Sequence, residues 1–164
     1  MIEPFIPRTL LLTQLLATAM MTGIIWFVQI VHYPLFLKVP VDGFVAYEQS
    51  HTLRTGFVVA PLMLVELGTA IALMLLSSVS GGKLPIGLTP LYLWSFGLLL
   101  LIWVSTFLIQ VPLHSLLEQK PDLKAMELLV STNWIRTILW SIRLGLLTAL
   151  VAGRFLGGAN LLLR

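Results

Sequence analysis

Four long runs of mostly apolar residues, 10–36, 57–79, 91–117 and 134–156, constrain this chain of 164 residues more than any other feature. A hydrocarbon core of about 30 Å is crossed by about 20 apolar residues in a helix, and each run reaches that length. Lipid offers no water to satisfy exposed backbone groups, so runs of this length cross as helices; barrel strands would be shorter and would alternate polar with apolar residues. Composition agrees, with 58% of residues hydrophobic, 10% charged and a mean hydropathy of +0.98. The expected fold is all-α: a bundle of four transmembrane helices forming one integral membrane domain over residues 1–164.

A net charge of +3 and a pI near 9.6 raise the question of nucleic acid. The basic residues are dispersed among loops and form no stripe, so no nucleic-acid partner is expected. Their near-even split between the two membrane faces also leaves the orientation open. Lys38, Arg54, Lys120, Lys124 and Arg136 flank one face, and Arg8, Lys83, Arg154 and Arg164 the other. Cysteine is absent, which removes disulfides, thiolate nucleophiles, iron-sulfur clusters and covalently attached haem. Arg8 followed by a Leu-rich run and by Ala17-Thr18-Ala19 resembles a secretion signal, but apolar sequence continues to Phe36, and the segment reads as a retained span.

Between the runs, residues 38–55 form the longest polar stretch. Asp42 can cap a helix there, with Phe44, Val45 and Tyr47 on one side and Glu48, His51 and Thr55 on another, which predicts a short interfacial helix before the second span. Pro121 and Asp122 predict a second short helix, running to Ser131, before the fourth span. Residues 81–85 read as a tight connection at the opposite face.

Chain direction must alternate from span to span. The end of the first, the start of the second, the end of the third and the start of the fourth therefore share one membrane face. All three histidines fall there: His32 closes the first run, His51 precedes the second and His114 closes the third, while Asn133 and Arg136 open the fourth. Gln29 and His32 are three apart and Gln110 and His114 four apart, so each pair shares a helical face; Asn133, Arg136, Thr137 and Trp140 form a similar stripe. For the glutamines and Thr137, interhelical hydrogen bonds are the expected role. Pro34 and Pro112 interrupt backbone bonding beside His32 and His114 and are expected to bend those helix ends around a cavity.

Glu48 and His51 make a Glu-x-x-His pair, a spacing that aims a carboxylate and an imidazole at a common point. With His32, His114 and Glu66 approaching from neighbouring spans, the donors suit a transition metal: iron, copper, zinc or manganese. The candidate metal ligands are therefore His32, Glu48, His51, Glu66 and His114, weighed against histidines acting only as polar caps at the interface. Glu66 has a second reading. It and Arg143 each lie nine residues into their runs, roughly 14 Å deep, and equal depth permits an ion pair inside the bundle. A further alternative is haem b with His32 and His114 as axial ligands. Trp26, Phe27, Tyr33, Trp134 and Trp140 are expected to enclose a flat lipophile.

The run Gln110-Val111-Pro112-Leu113-His114, followed by Thr132-Asn133-Trp134-Ile135-Arg136-Thr137, resembles the signature of the anthrone oxygenase-like family of small four-span membrane proteins. In that family a Val-Pro-Leu-Asn element precedes Asn-x-x-Arg-Thr. Pro112, Leu113, Asn133, Arg136 and Thr137 match, and His114 stands where asparagine is usual. The resemblance lies in the carboxyl-terminal half and implies a four-helix membrane bundle, an uncharacterised bacterial branch with a plasma-membrane or related location, and an oxygenase of aromatic or quinone-like lipophiles.

Residues and resemblance together give the leading expectation, a membrane-embedded metal-dependent oxidoreductase. In it Glu48 moves protons while Asn133 and Arg136 orient the oxygen of a lipophilic substrate. The competing expectation is a noncatalytic small membrane subunit, or a protein that binds haem, pigment or lipid, whose polar cluster is internal glue. The partners are the bilayer and a lipophilic small molecule, with a homo-oligomer or a larger membrane complex left open.

Overall fold

The computed structural model describes residues 5–79 and 90–159. The expected connection at 81–85, with Lys83, lies outside them, as does Arg164. The described residues form four helical rods, each with a stretch long and apolar enough to cross a membrane: Pro7–Phe36, Val41–Val79, Pro90–Leu117 and Leu123–Gly153.

Two rods are broken internally in the same way. In the first, α1 (Phe5–Phe27) passes through a π-helical turn, Val28–His32, into α2 (Tyr33–Phe36). In the third, α4 (Pro90–Ser105) passes through Thr106–Gln110 into α5 (Val111–Leu117). Each π turn ends two residues before a proline, and the Tyr33 and Val111 N–H groups reach back to the carbonyls of Val28 and Thr106. Proline lacks an N–H and crowds the preceding turn; the wider turn accommodates it without ending the helix. The expected disruption at Pro34 and Pro112 is thus present as a local widening. It sits at the level of Gln29, His32 and Gln110 and sets where those side chains point.

The other two rods correct an expectation. No separate interfacial helices precede the second and fourth spans. The stretch 41–55 continues into the second span as one helix of 39 residues, α3 (Val41–Val79), and 123–131 continues into α6 (Leu123–Ala159). A fall in hydropathy fixes how deep a helix sits, not where it ends; ending it takes a cap or a breaker, and Gly56 alone does not suffice. At roughly 58 Å, α3 far exceeds the hydrocarbon thickness, so its polar amino-terminal turns project from the apolar layer with Glu48 and His51 in register with the span below. The start of α6 is fixed by Asp122, whose Oδ1 accepts from the Ala125 amide at 3.0 Å, while Asp42 in the first turn of α3 meets the positive helix end.

Packing around the bundle is uneven. The first rod packs along both the second and the fourth, and the third packs along the fourth. The second and third rods pack more sparsely, through α3 and α5 near the histidine-bearing end and through the Tyr92 hydroxyl, which donates to the Ala70 carbonyl at 2.7 Å, toward the other. The main core, including Met21, Phe36, Phe44, Ile102, Leu117, Leu129 and Trp140, fills the bundle interior at that end. Leu16, Phe57, Trp94 and Leu108 project outward, an apolar surface suited to lipid.

Candidate metal centre and apolar chamber

The four rods bring all three histidines together. The His51 ring lies 4.5 Å from that of His32 and 5.5 Å from that of His114, between centroids. Glu48, His51 and His114 each offer a ligand atom within 4.8 Å of the others'. Glu48 and His51 reach this point because they are three apart on one continuous helix; His114 arrives from α5, just past the π turn.

Each group has a defined set of partners. Glu48 is fully buried, and its Oε1 lies 2.5 Å from His114 Nδ1. Its Oε2 is buried and has no hydrogen-bond partner among the described residues. With Nδ1–H directed at the carboxylate, His114 Nε2 is left to accept from the Tyr33 hydroxyl at 2.9 Å. His51 Nδ1 lies 2.8 Å from His32 Nε2 and 3.1 Å from Thr55 Oγ1, which holds the ring and leaves Nε2 as its ligand atom.

Of the five expected metal ligands, His32 and Glu66 stand apart from this group. His32 touches it through His51 and acts on ring orientation. Glu66 lies in a separate buried cluster, where it pairs with Arg143, accepts from Thr18 Oγ1 at 2.5 Å and accepts from Trp140 Nε1 at 3.1 Å. The equal depth of Glu66 and Arg143 is realised as the ion pair, and both carboxylate oxygens of Glu66 are engaged. Arg143 also donates to the Ser95 carbonyl, so this cluster ties all four rods together. The two expected axial ligands of the alternative haem site, His32 and His114, both pack against the His51 ring.

Arg136 is buried at the edge of the site, donating to Asn133 Oδ1, Gln110 Oε1 and the Tyr33 oxygen. Asn133 in turn donates to Gln29 Oε1, so both ends of its amide are engaged within the network, where it positions Arg136. Gln29 continues the network to the Val130 carbonyl, and Gln110 to Thr132, the interhelical role expected for both.

Tyr33 is the site residue that sequence reasoning assigned only to an aromatic wall. Its hydroxyl joins His114 to Arg136. The available signal was its spacing of four from Gln29, which puts both on the inner face of the π turn. Tyr33→Phe is expected to cost about 1–3 kcal/mol, because it leaves a buried guanidinium and an imidazole each short of a partner. Unfolding in detergent reads this directly, and an unchanged midpoint would contradict the role.

Against this polar head lies a chamber of about 400 Å³. Its walls are mainly apolar, with Met21, Ile25, Val59, Met63, Trp103 and Trp140 among them, and His51, His114, Tyr33 and Arg136 close the polar end. Tyr33 and Trp140 line it as expected. Trp26, Phe27 and Trp134 do not: they face outward, with Trp26 donating to Ser141 and crossing Trp134 edge-on at 5.7 Å. Trp103 takes their place in the wall.

No family model, curated protein or solved structure matches this chain.

Proposed function

We propose that the protein is a membrane-embedded, iron-dependent oxidoreductase of the oxygenase kind, with Glu48, His51 and His114 as the metal ligands and the adjoining chamber as the site of a lipophilic, aromatic or quinone-like substrate. The observation that carries this reading is the meeting of two imidazoles and one carboxylate at the polar end of an apolar chamber. Two histidines and one carboxylate with open positions form the ligand set of non-haem iron oxygenases, and the unpartnered, fully buried Glu48 Oε2 is an oxygen in want of a cation. The resemblance of the Val111–His114 and Asn133–Thr137 elements to the anthrone oxygenase-like family points the same way, as does its implied bacterial membrane location.

A ferrous ion bound here would supply oxygen activation. The protein's own groups do the rest. His32 and Thr55 fix the His51 ring, Arg136 presents its charge to a substrate oxygen at the chamber's polar end, and the Tyr33 hydroxyl holds the His114 ring through Nε2 and the Arg136 guanidinium in place. The apolar walls keep water from the reacting centre.

One observation favours the noncatalytic subunit instead: both His114 nitrogens already have protein partners, an arrangement suited to internal glue. Metal analysis separates the two readings. Protein purified anaerobically in mild detergent is expected to hold close to one iron per chain, or to take it up from ferrous solution and give the electron-spin signal of a nitrosyl adduct. Protein that takes up no metal sinks the oxidoreductase reading and leaves the subunit.

A further inference from the structure

The chamber is closed on three sides. The first rod packs on the second and the fourth, and the third packs on the fourth, which leaves the gap between the second and third rods as the sparsely packed side, joined at its far end by the Tyr92 hydroxyl, which donates to the Ala70 carbonyl at 2.7 Å. That gap is sealed at the polar end, where Gln49 Nε2 donates to the Glu118 carbonyl at 3.1 Å, Thr52 donates to the Glu118 carboxylate and Glu48 meets His114. Below the seal, the residues bordering the gap line the chamber and are also exposed outward: Leu64 and Phe107 are 60% and 57% exposed, and Gly56 and Ala60 hold the second rod's edge small. The opening therefore faces the acyl chains of the bilayer, not water.

Inside, one polar atom is unaccounted for. The Trp103 Nε1–H is buried and has no hydrogen-bond partner among the described residues, although its indole forms part of the chamber wall. A buried donor left unmade is costly, and a ligand acceptor is the direct way to satisfy it.

We infer that the chamber admits a neutral lipophile directly from the bilayer through the gap between the second and third rods, and that the ligand carries a carbonyl or similar oxygen that accepts from Trp103 Nε1. A charged headgroup is excluded from the route by its apolar rim, and a plain hydrocarbon would leave the indole donor unsatisfied. The inference rests on the proposed function in taking the chamber as the substrate site, and it adds the access route and the chemical class that enters.

Benzophenone is a suitable probe, because its carbonyl is both the acceptor and the photoreactive group; diphenylmethane is the matched competitor without the oxygen. Irradiation of the protein in lipid nanodiscs, followed by peptide mapping, is expected to place the label on chamber residues such as Met21 and Met63. Trp103→Phe is expected to weaken labelling about three- to tenfold, the effect of one net hydrogen bond, and to erase the advantage over diphenylmethane. Gly56→Phe is expected to abolish it. A Cβ at Gly56 meets nothing within 4 Å, so the rim has room for a side chain to start there, and an unchanged melting temperature verifies that the phenylalanine leaves the packing intact. Label confined to outward residues such as Leu16 and Phe57, undiminished label in Gly56→Phe, or equal affinity in Trp103→Phe would each overturn the inference. Repeating the labelling on chelator-treated protein keeps it separate from the metal reading: label without iron uptake retains the chamber ligand and discards the metal, and iron uptake without label does the reverse.

Discussion

His51→Ala protein is expected to bind ferrous iron more than about a hundredfold more weakly than the unsubstituted chain while remaining folded. Residues that merely orient a metal ligand are worth about ten- to a hundredfold in affinity, and His51 is proposed as one of three direct ligands. His32→Ala supplies the graded control. It removes the 2.8 Å partner of His51 Nδ1 but no ligand atom, so its loss is expected to stay within that ten- to hundredfold range. Competition against a fluorescent chelator measures both. The fold is expected to survive because His51 is only partly buried and contributes ring contacts, such as that with Phe36 at 5.1 Å, instead of a buried ion pair. Unchanged affinity in His51→Ala would remove the triad from consideration.

The largest stability effect is expected from the other polar cluster. Glu66 and Arg143 are both fully buried, and each is surrounded by groups arranged for its charge: Thr18 and Trp140 donate to Glu66, while the Ser95 carbonyl accepts from Arg143. Glu66→Leu or Arg143→Met alone strands one charge in the bundle and is expected to cost about 3–5 kcal/mol. The double substitution removes both charges and replaces them with apolar volume, so its cost should fall well below the sum of the two. Reversible unfolding in mixed detergent micelles gives all three values. Strict additivity would show that the pair is not coupled, contrary to the geometry. Iron binding should be little changed in the double variant, since neither residue belongs to the Glu48–His51–His114 group.

The two clusters illustrate how far the sequence reaches. Glu66 was a candidate for both on composition alone: its depth matched Arg143, and its type matched the histidine site. Depth along a helix follows from counting residues, and it correctly permitted the ion pair. Azimuth does not follow so simply, because neighbouring residues point about 100° apart around a helix and the rotation of each rod is set by what it packs against. Trp26 and Trp103 were separated by the same effect, one turned outward and the other into the chamber wall. The interfacial helices failed for a different reason. Polarity marks the depth of the chain in the bilayer, whereas backbone hydrogen bonding carries a helix through that boundary unless a breaker intervenes.

Sequence alone therefore determined the four spans, their all-α character and the gathering of His32, His51, His114, Asn133 and Arg136 at one membrane face, because hydrocarbon thickness and alternating chain direction leave few other arrangements. Tertiary structure alone decided which of those side chains touch. It took the two π turns, the continuous second rod and the sparse packing between the second and third rods to select Glu48, His51 and His114, to insert Tyr33 between His114 and Arg136, and to open an apolar chamber toward lipid. Those outcomes depend on helix rotation and pairwise packing, which arise from contacts between residues far apart in the chain.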